Sequence, residues 1–72
     1  MKKKFKLKDL DCANCAAKME AAIRAIPDVQ DASVNFMMQK LTLEAPDDRF
    51  DAVLAEVVRI CARVEPDCTI LL

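Results

Sequence analysis

The chain has 72 residues, of which 54% are hydrophobic and 32% are charged, and it contains no His, Gly, Trp or Tyr. This length and composition predict one globular domain over residues 1–72 with a modest core, and they exclude a second domain and a disordered chain. No apolar stretch approaches the ~20 residues that span a bilayer, and no secretory signal is present, so we expect a soluble domain that is not exported.

The charges are unevenly distributed along the chain. Eleven basic and twelve acidic side chains give a net charge of −1, and five lysines lie within the first eight residues. The other 64 residues therefore carry six basic and twelve acidic side chains. An acidic body without an Arg-rich or aromatic surface argues against nucleic acid as a partner. The lysines fit the solvent face of an edge strand, where they discourage edge pairing, with a docking patch as the alternative.

The first third of the chain predicts a strand and a helix. Phe5 and Leu7 alternate with lysines over Lys3–Asp9, which is typical of a strand with one buried face. Apolar residues then recur every three or four positions over Ala13–Ile26 and stop at Pro27, which indicates an amphipathic helix.

The rest of the chain predicts a hairpin, a second helix and a last strand. Apolar and polar residues alternate on both sides of the turn Met37–Gln39, which predicts two antiparallel strands. Asp47 and Asp48 are expected to cap the second helix. Its apolar stripe consists of Phe50, Val53, Leu54, Val57, Cys61 and Val64. A strand that begins near Cys68 completes the order β-α-β-β-α-β. This order predicts an α+β, ferredoxin-like fold, with two helices on one face of a four-stranded antiparallel sheet.

The chemical signal of the sequence is Asp11-Cys12-Ala13-Asn14-Cys15, at the junction of the first strand and the first helix. Two Cys three apart at a helix start can turn both sulfurs toward one point. The unpaired N–H groups and partial positive charge of the helix N-terminus should lower both thiol pKa values and favour thiolates that bind soft metals. We call Cys12 and Cys15 the cysteine pair.

Other interpretations of the cysteine pair stay open. A disulfide would close a very short loop and gain little, and it would be reduced in a protein that is not exported. A thiol-disulfide redox protein would place its pair at a similar helix start, but this fold is small for that architecture. The two Cys could also be apolar fillers. The spacing and its context favour metal binding.

Three segments resemble the heavy-metal-associated domain family, and in particular the domains that begin zinc-, cadmium- and lead-transporting P-type ATPases. K-D-L-D-C-A-N-C-A-A-K-M-E is similar to the metal motif, V-N-F-M-M-Q-K-L-T-L-E to the central hairpin, and V-E-P-D-C-T-I-L to the last corner. The resemblance covers the whole chain. It implies a cytoplasmic, non-enzymatic domain that binds one metal ion through the paired Cys and serves a pump in the cell membrane.

The sequence departs from the family pattern G-M-x-C-x-x-C at two places. Leu10 can replace the Met that lies under the loop, and Asp11 places a carboxylate beside the first Cys. Cu(I) accepts two sulfurs, whereas Zn(II), Cd(II) and Pb(II) take three or four ligands, including oxygen. We therefore expect Asp11, Cys12 and Cys15 as the metal ligands. A helix cap is the alternative role of Asp11.

The remaining candidates receive structural interpretations. Cys61 and Cys68 are expected to fill the core. As a minor alternative, excess metal could recruit them, or they could pair two molecules. We expect a monomer, with a metal-bridged dimer as the alternative. Met37 and Met38 are expected in a turn at the far end of the strands from the cysteine pair. A free-standing copper chaperone of the same fold remains the rival function.

Overall fold

The computed structural model describes all 72 residues and confirms the predicted order of elements. Strand β1 covers Lys2–Lys8, helix α1 Ala13–Arg24, strand β2 Asp31–Asn35, strand β3 Lys40–Glu44, helix α2 Phe50–Val64 and strand β4 Thr69–Leu71. Neither helix has both the length and the hydropathy needed to cross a membrane.

The sheet has the strand order β2-β3-β1-β4, and all neighbours are antiparallel. Strand β1 pairs with β3 over Lys2–Lys6 and with β4 over Lys6–Lys8. The expectation that β1 is an edge strand is therefore wrong, although its first residues have a neighbour on one side only. Alternation of apolar residues reveals which face of a strand is buried, but it does not reveal how many neighbours the strand has.

The core lies between the sheet and the two helices. Fourteen residues are buried, and no polar or charged residue is among them. The sheet contributes alternate residues of its strands, and α1 and α2 contribute residues spaced by three or four, as their amphipathic patterns require. These residues are Leu7, Ala32, Leu41 and Leu43 from the strands, Ala16, Met19 and Ile23 from α1, and Phe50, Val53, Val57 and Cys61 from α2; the other three buried residues, Leu10, Ala45 and Cys68, lie between elements.

Helix α1 is shorter than the sequence pattern suggests. It ends at Arg24, with Ala25 as its C-cap, whereas the apolar pattern continues to Ile26. Because Pro27 disfavours helical geometry in the residue before it, the chain leaves the helix earlier. The Ile26 amide donates instead to the Ile23 carbonyl at 3.1 Å and forms a tighter turn.

The start of α2 also differs from the expectation. Its N-cap is Arg49, which makes no capping bond with its side chain, so Asp47 and Asp48 do not cap the helix. Asp48 lies one residue and Asp47 two residues before the cap position, in a turn that the Arg49 amide closes on the Pro46 carbonyl at 3.0 Å. Asp47 pairs instead with the N-terminal ammonium of Met1 at 2.8 Å.

The hairpin turn lies near the cysteine pair, because β3 runs antiparallel to β1 with Lys40 opposite Lys6. The turn that contains Met37 and Met38 is therefore at the end of the sheet where β1 leads into α1. The expectation that these residues lie at the far end is wrong. Their side chains are exposed, at 87% and 60%.

Substitution of Asp48 tests the absence of a capping role. We expect Asp48→Ala to change the free energy of unfolding by less than about 0.5 kcal/mol, since no capping bond is lost. Urea unfolding followed by circular dichroism measures the change. Leu43→Ala in the core is the control and should cost about 2–5 kcal/mol. A loss of about 1 kcal/mol or more in Asp48→Ala would restore the capping role.

Candidate metal centre

The loop between β1 and α1 is anchored by a buried leucine. Asp9 adopts a left-handed backbone conformation with φ 63°, which turns the chain sharply at the end of the strand. Leu10 follows and is only 2% exposed. Its burial under the loop agrees with the role that the sequence predicts for it, and it fixes the start of the segment that carries the cysteine pair.

Gln39 of the hairpin turn holds the same loop from the side. Its side-chain oxygen accepts a hydrogen bond from the Leu10 amide at 3.0 Å. Its side-chain nitrogen donates to the Leu10 carbonyl at 2.7 Å and to the Phe36 carbonyl at 2.8 Å. The Gln39 carbonyl also accepts from the Leu7 amide at 2.7 Å. Both backbone groups of Leu10 are thereby satisfied by one side chain, so the loop is tied to the hairpin.

Cys12 is the N-cap of α1. It has extended backbone angles, its carbonyl accepts from the Ala16 amide at 3.0 Å, and its sulfur accepts from the Cys15 amide at 3.2 Å. The first helical residue is Ala13, so Asp11 lies one residue too early to cap the helix. The alternative role of Asp11 as the N-cap is therefore wrong.

The two thiols of the cysteine pair differ in their protonation. Hydrogen bonds from the Cys15 thiol and amide, and from the Asn14 amide, lower the pKa of the Cys12 thiol below its ordinary value. Donation to Cys12, burial and a hydrogen bond with Glu65 raise the pKa of Cys15 to about 12. The expectation that both thiols are acidified is right for Cys12 and wrong for Cys15. Of the two sulfurs, Cys12 is therefore the first to become a thiolate.

Glu65 is the carboxylate that the structure brings to the cysteine pair. It is the C-cap of α2; its amide donates to the Cys61 carbonyl at 2.9 Å, and its carbonyl accepts from the Cys68 amide at 3.0 Å. These bonds hold the corner between α2 and β4, and the carboxylate of Glu65 raises the pKa of both thiols of the cysteine pair. Sequence reasoning missed Glu65. The signal was its position before Pro66, in a corner already expected near the cysteine pair.

Asp11 is exposed at the entrance to the loop. No group of three or more His, Cys, Asp or Glu side chains is arranged to hold a metal ion. The structure thus brings Cys12 and Cys15 together, but it does not assemble Asp11 with them into a ready-made three-ligand site. A third ligand requires a rotation of an exposed side chain, which a bound cation would favour.

Cys61 and Cys68 are buried, as the sequence predicts, at 2% and 8% exposure. Burial, together with the neighbouring Cys68, raises the pKa of Cys61 to about 12. Burial also raises the pKa of Cys68, with contributions from the charges of Glu65, Asp9 and Asp11. Both thiols therefore stay neutral and behave as small apolar side chains under the loop.

Comparison with known proteins identifies relatives of the whole chain. The model of the heavy-metal-associated domain family matches residues 4–66. A cadmium, zinc and cobalt-transporting ATPase of Bacillus subtilis is 30% identical over 70 residues, which are 97% of this chain and 10% of that protein. A probable copper-transporting ATPase, PacS, of Synechococcus elongatus is 37% identical over 59 residues, which are 82% of this chain and 7% of that protein. The chain thus spans a tenth or less of the length of these relatives.

A solved structure has the same fold. The N-terminal domain of ZntA in its apo form superposes with a TM-score of 0.70 at 28% identity, over 99% of this chain and 92% of that domain. The ferredoxin-like arrangement predicted from the sequence is confirmed.

Removal of the Cys15 thiol tests the coupling within the cysteine pair. We expect Cys15→Ala to raise the pKa of Cys12, since the thiolate loses its main hydrogen-bond donor, and alkylation of Cys12 at a fixed pH should slow. The measurement is the pH dependence of the iodoacetamide reaction rate on the metal-free protein. Cys15→Ser is the matched control, because its hydroxyl still donates and the shift should be smaller. An unchanged or lowered Cys12 pKa in Cys15→Ala would contradict the coupling.

Removal of the Gln39 side chain tests the attachment of the loop. Gln39→Ala leaves both backbone groups of Leu10 without partners and should lower the free energy of unfolding by about 1–3 kcal/mol. Amide hydrogen exchange at Leu10 should accelerate more than exchange within α2. Gln39→Glu keeps the acceptor for the Leu10 amide and loses the donor to its carbonyl, so its effect on Leu10 exchange should be smaller. Equal exchange at Leu10 in all three proteins would show that the loop does not depend on this side chain.

Proposed function

The chain belongs to the heavy-metal-associated domain family, and we propose that it binds one Zn(II), Cd(II) or Pb(II) ion through Cys12 and Cys15 and delivers it to, or regulates, a metal-transporting P-type ATPase. The family is a heavy-metal-binding one, and its relatives here are pumps named for cadmium, zinc and cobalt and for copper. The proposal has three parts: the bound ion is divalent, Asp11 is one of its ligands, and the partner is a pump.

The observation that carries the proposal is the hydrogen-bonded cysteine pair at the N-terminus of α1. The Cys12 sulfur accepts from the Cys15 amide at 3.2 Å, and both Cys residues are only half-buried. An acidified, accessible thiolate is a soft ligand that a metal can reach without unfolding the protein. The second sulfur lies in the same turn of helix, so one ion can contact both after Cys15 loses its proton.

The preference for a divalent ion rests on the carboxylates at the loop. Asp11 adjoins Cys12 in the chain, and the charge of Glu65 acts on both thiols of the cysteine pair. Zn(II) and Cd(II) complete a shell of three or four ligands that includes oxygen, whereas Cu(I) is satisfied by two sulfurs. Asp11 is the third ligand in this proposal. Glu65 is the second oxygen donor, and the proton that leaves Cys15 when metal binds passes to the solvent.

Delivery to a pump fits the open coordination shell. Two thiolates and an exposed carboxylate leave at least one face of the ion free, so a thiolate or carboxylate of the partner can bind before the first ligand leaves. Stepwise exchange of this kind avoids a bare ion in solution. The domain carries out no reaction of its own.

Competition between metals tests the proposal. We expect the reduced domain to bind one Zn(II), Cd(II) or Pb(II) per chain, and Asp11→Ala to weaken that binding about tenfold or more while Cu(I) affinity changes little. Ultraviolet charge-transfer bands and native mass spectrometry give affinity and stoichiometry. Asp48→Asn is the control, because it removes an equal charge far from the loop. Addition of the loaded domain to the membrane-embedded pump, followed by ATP turnover, tests delivery.

The same titration distinguishes the rival function. If Cu(I) binds equally tightly with and without Asp11, and divalent ions hardly bind, the domain handles copper, as the copper-transporting relative does by its name. If Asp11→Ala is silent but Glu65→Gln weakens divalent binding, the third ligand is Glu65 and not Asp11.

A further inference from the structure

The sheet face that is turned away from the helices carries a cluster of lysines. Lys4, Lys6 and Lys8 are alternate residues of β1 and therefore project from the same face, opposite to the buried Leu7. Lys40 of β3 lies directly across from Lys6 in the register of the sheet. We call these four residues the lysine face.

No residue of the lysine face forms an ion pair. The four ion pairs of the structure join Met1 with Asp47, Arg24 with Asp31, Arg49 with Asp28 and Arg59 with Glu56. On the same side of the sheet the acidic residues are Asp31 and Glu44, which face each other at the opposite end, next to Lys2. The positive charge of the lysine face is therefore uncompensated.

Protection of a sheet edge does not explain Lys6 and Lys40. Each of these two has a hydrogen-bonded strand on both sides, whereas Lys4 and Lys8 have a paired strand on one side only. Lysines that guard against edge pairing belong on edge strands. Like charges directly opposite each other in an antiparallel pair destabilise the sheet, and Lys6 and Lys40 are such a pair. The arrangement therefore opposes folding, and a function outside folding accounts for it.

We propose that the lysine face binds the anionic surface of a lipid bilayer. The β1 lysines of this face are spaced by about 6.8 Å along the strand, as alternate residues are. Lys ammonium groups are hydrated point charges that suit diffuse attraction to headgroups, and each contributes roughly fivefold to partitioning onto an anionic membrane. This inference does not depend on the metal proposed above.

An apolar residue beside the lysine face supports a bilayer as the occupant. Leu71 is opposite Lys6 in the register, lies on the same side of the sheet and is 47% exposed. Lysines beside an exposed leucine match the boundary between headgroups and acyl chains. An acidic peptide that adds to a sheet needs an unpaired strand edge, which Lys6 and Lys40 do not offer.

The lysine face lies next to the loop that carries the cysteine pair. Lys8 is the last residue of β1, and the loop to α1 begins immediately after it. A domain that lies on a bilayer through this face therefore keeps the loop at the rim of the contact. Metal could be exchanged there with a site near the membrane surface, while the helices face the solvent.

Vesicle binding of the metal-free domain tests the inference. We expect co-sedimentation with vesicles of phosphatidylcholine and phosphatidylglycerol, no binding to phosphatidylcholine alone, and loss of binding at high salt. The variant Lys4→Gln/Lys6→Gln/Lys8→Gln should bind about a hundredfold more weakly, since three lysines at roughly fivefold each are lost. Lys18→Gln/Arg59→Gln/Arg63→Gln removes the same charge from the helices and should bind within a few-fold of the unaltered domain.

Stability measurements distinguish a loss of vesicle binding from unfolding of the variant. Lys6→Gln relieves the repulsion from Lys40, so its thermal midpoint should equal or exceed that of the unaltered domain while its vesicle binding falls. Equal weakening in the two triple variants would show attraction by net charge alone and would overturn the inference. Equal binding to neutral and anionic vesicles would overturn it as well. Metal titration of the lysine variants should be unchanged, so failure here is separate from failure of the proposed function.

Discussion

The attachment of the β1–α1 loop to the β2–β3 hairpin is the constraint on which the metal centre depends. A loop without glycine that turns through a left-handed Asp9 has no regular hydrogen-bond partners of its own. Gln39 supplies both partners of Leu10, and the Leu10 side chain fills the core beneath. Because Leu10 is fixed at its backbone and its side chain, Cys12 begins α1 from a defined position. The geometry of the cysteine pair follows from that position.

The asymmetry of the cysteine pair explains how one site can be both stable without metal and ready to accept it. A pair of thiolates side by side would repel each other, whereas two neutral thiols would attract a cation weakly. Hydrogen bonds from Cys15 lower the pKa of Cys12, whereas the pKa of Cys15 is raised to about 12. In the proposed function a cation replaces the proton of Cys15, which passes to the solvent. The exposed loop leaves room for the ion to arrive and to leave.

Local patterns in the sequence predict the helices and strands of this fold. They do not predict which strands pair or which residues from distant segments lie near the β1–α1 loop. The two periodicities, two for strands and about 3.6 for helices, identify all six elements, and the cysteine spacing identifies the pair. The interior place of β1, the nearness of Met37 to the loop and the approach of Glu65 to Cys15 depend on which strands pair. The predicted helix caps are wrong for a related reason. A single turn at Pro46 shifts Asp47 and Asp48 out of the cap position, and a one-residue shift likewise makes Cys12 the cap in place of Asp11.

Charge is divided between two surfaces that meet at the loop. Asp9, Asp11, Glu65 and Asp67 lie on the two segments around the cysteine pair, while Lys4, Lys6 and Lys8 lead into the same loop along β1. The negative end attracts cations, and the positive face is attracted by anionic surfaces; within a Debye length of about 8 Å both fields act on the same partner. If the domain approached an anionic membrane with its acidic end first, the membrane charge would repel the carboxylates at that end. The division of charge therefore orients the domain before any contact forms, with the loop between the surface that holds the domain and the solution that supplies the metal.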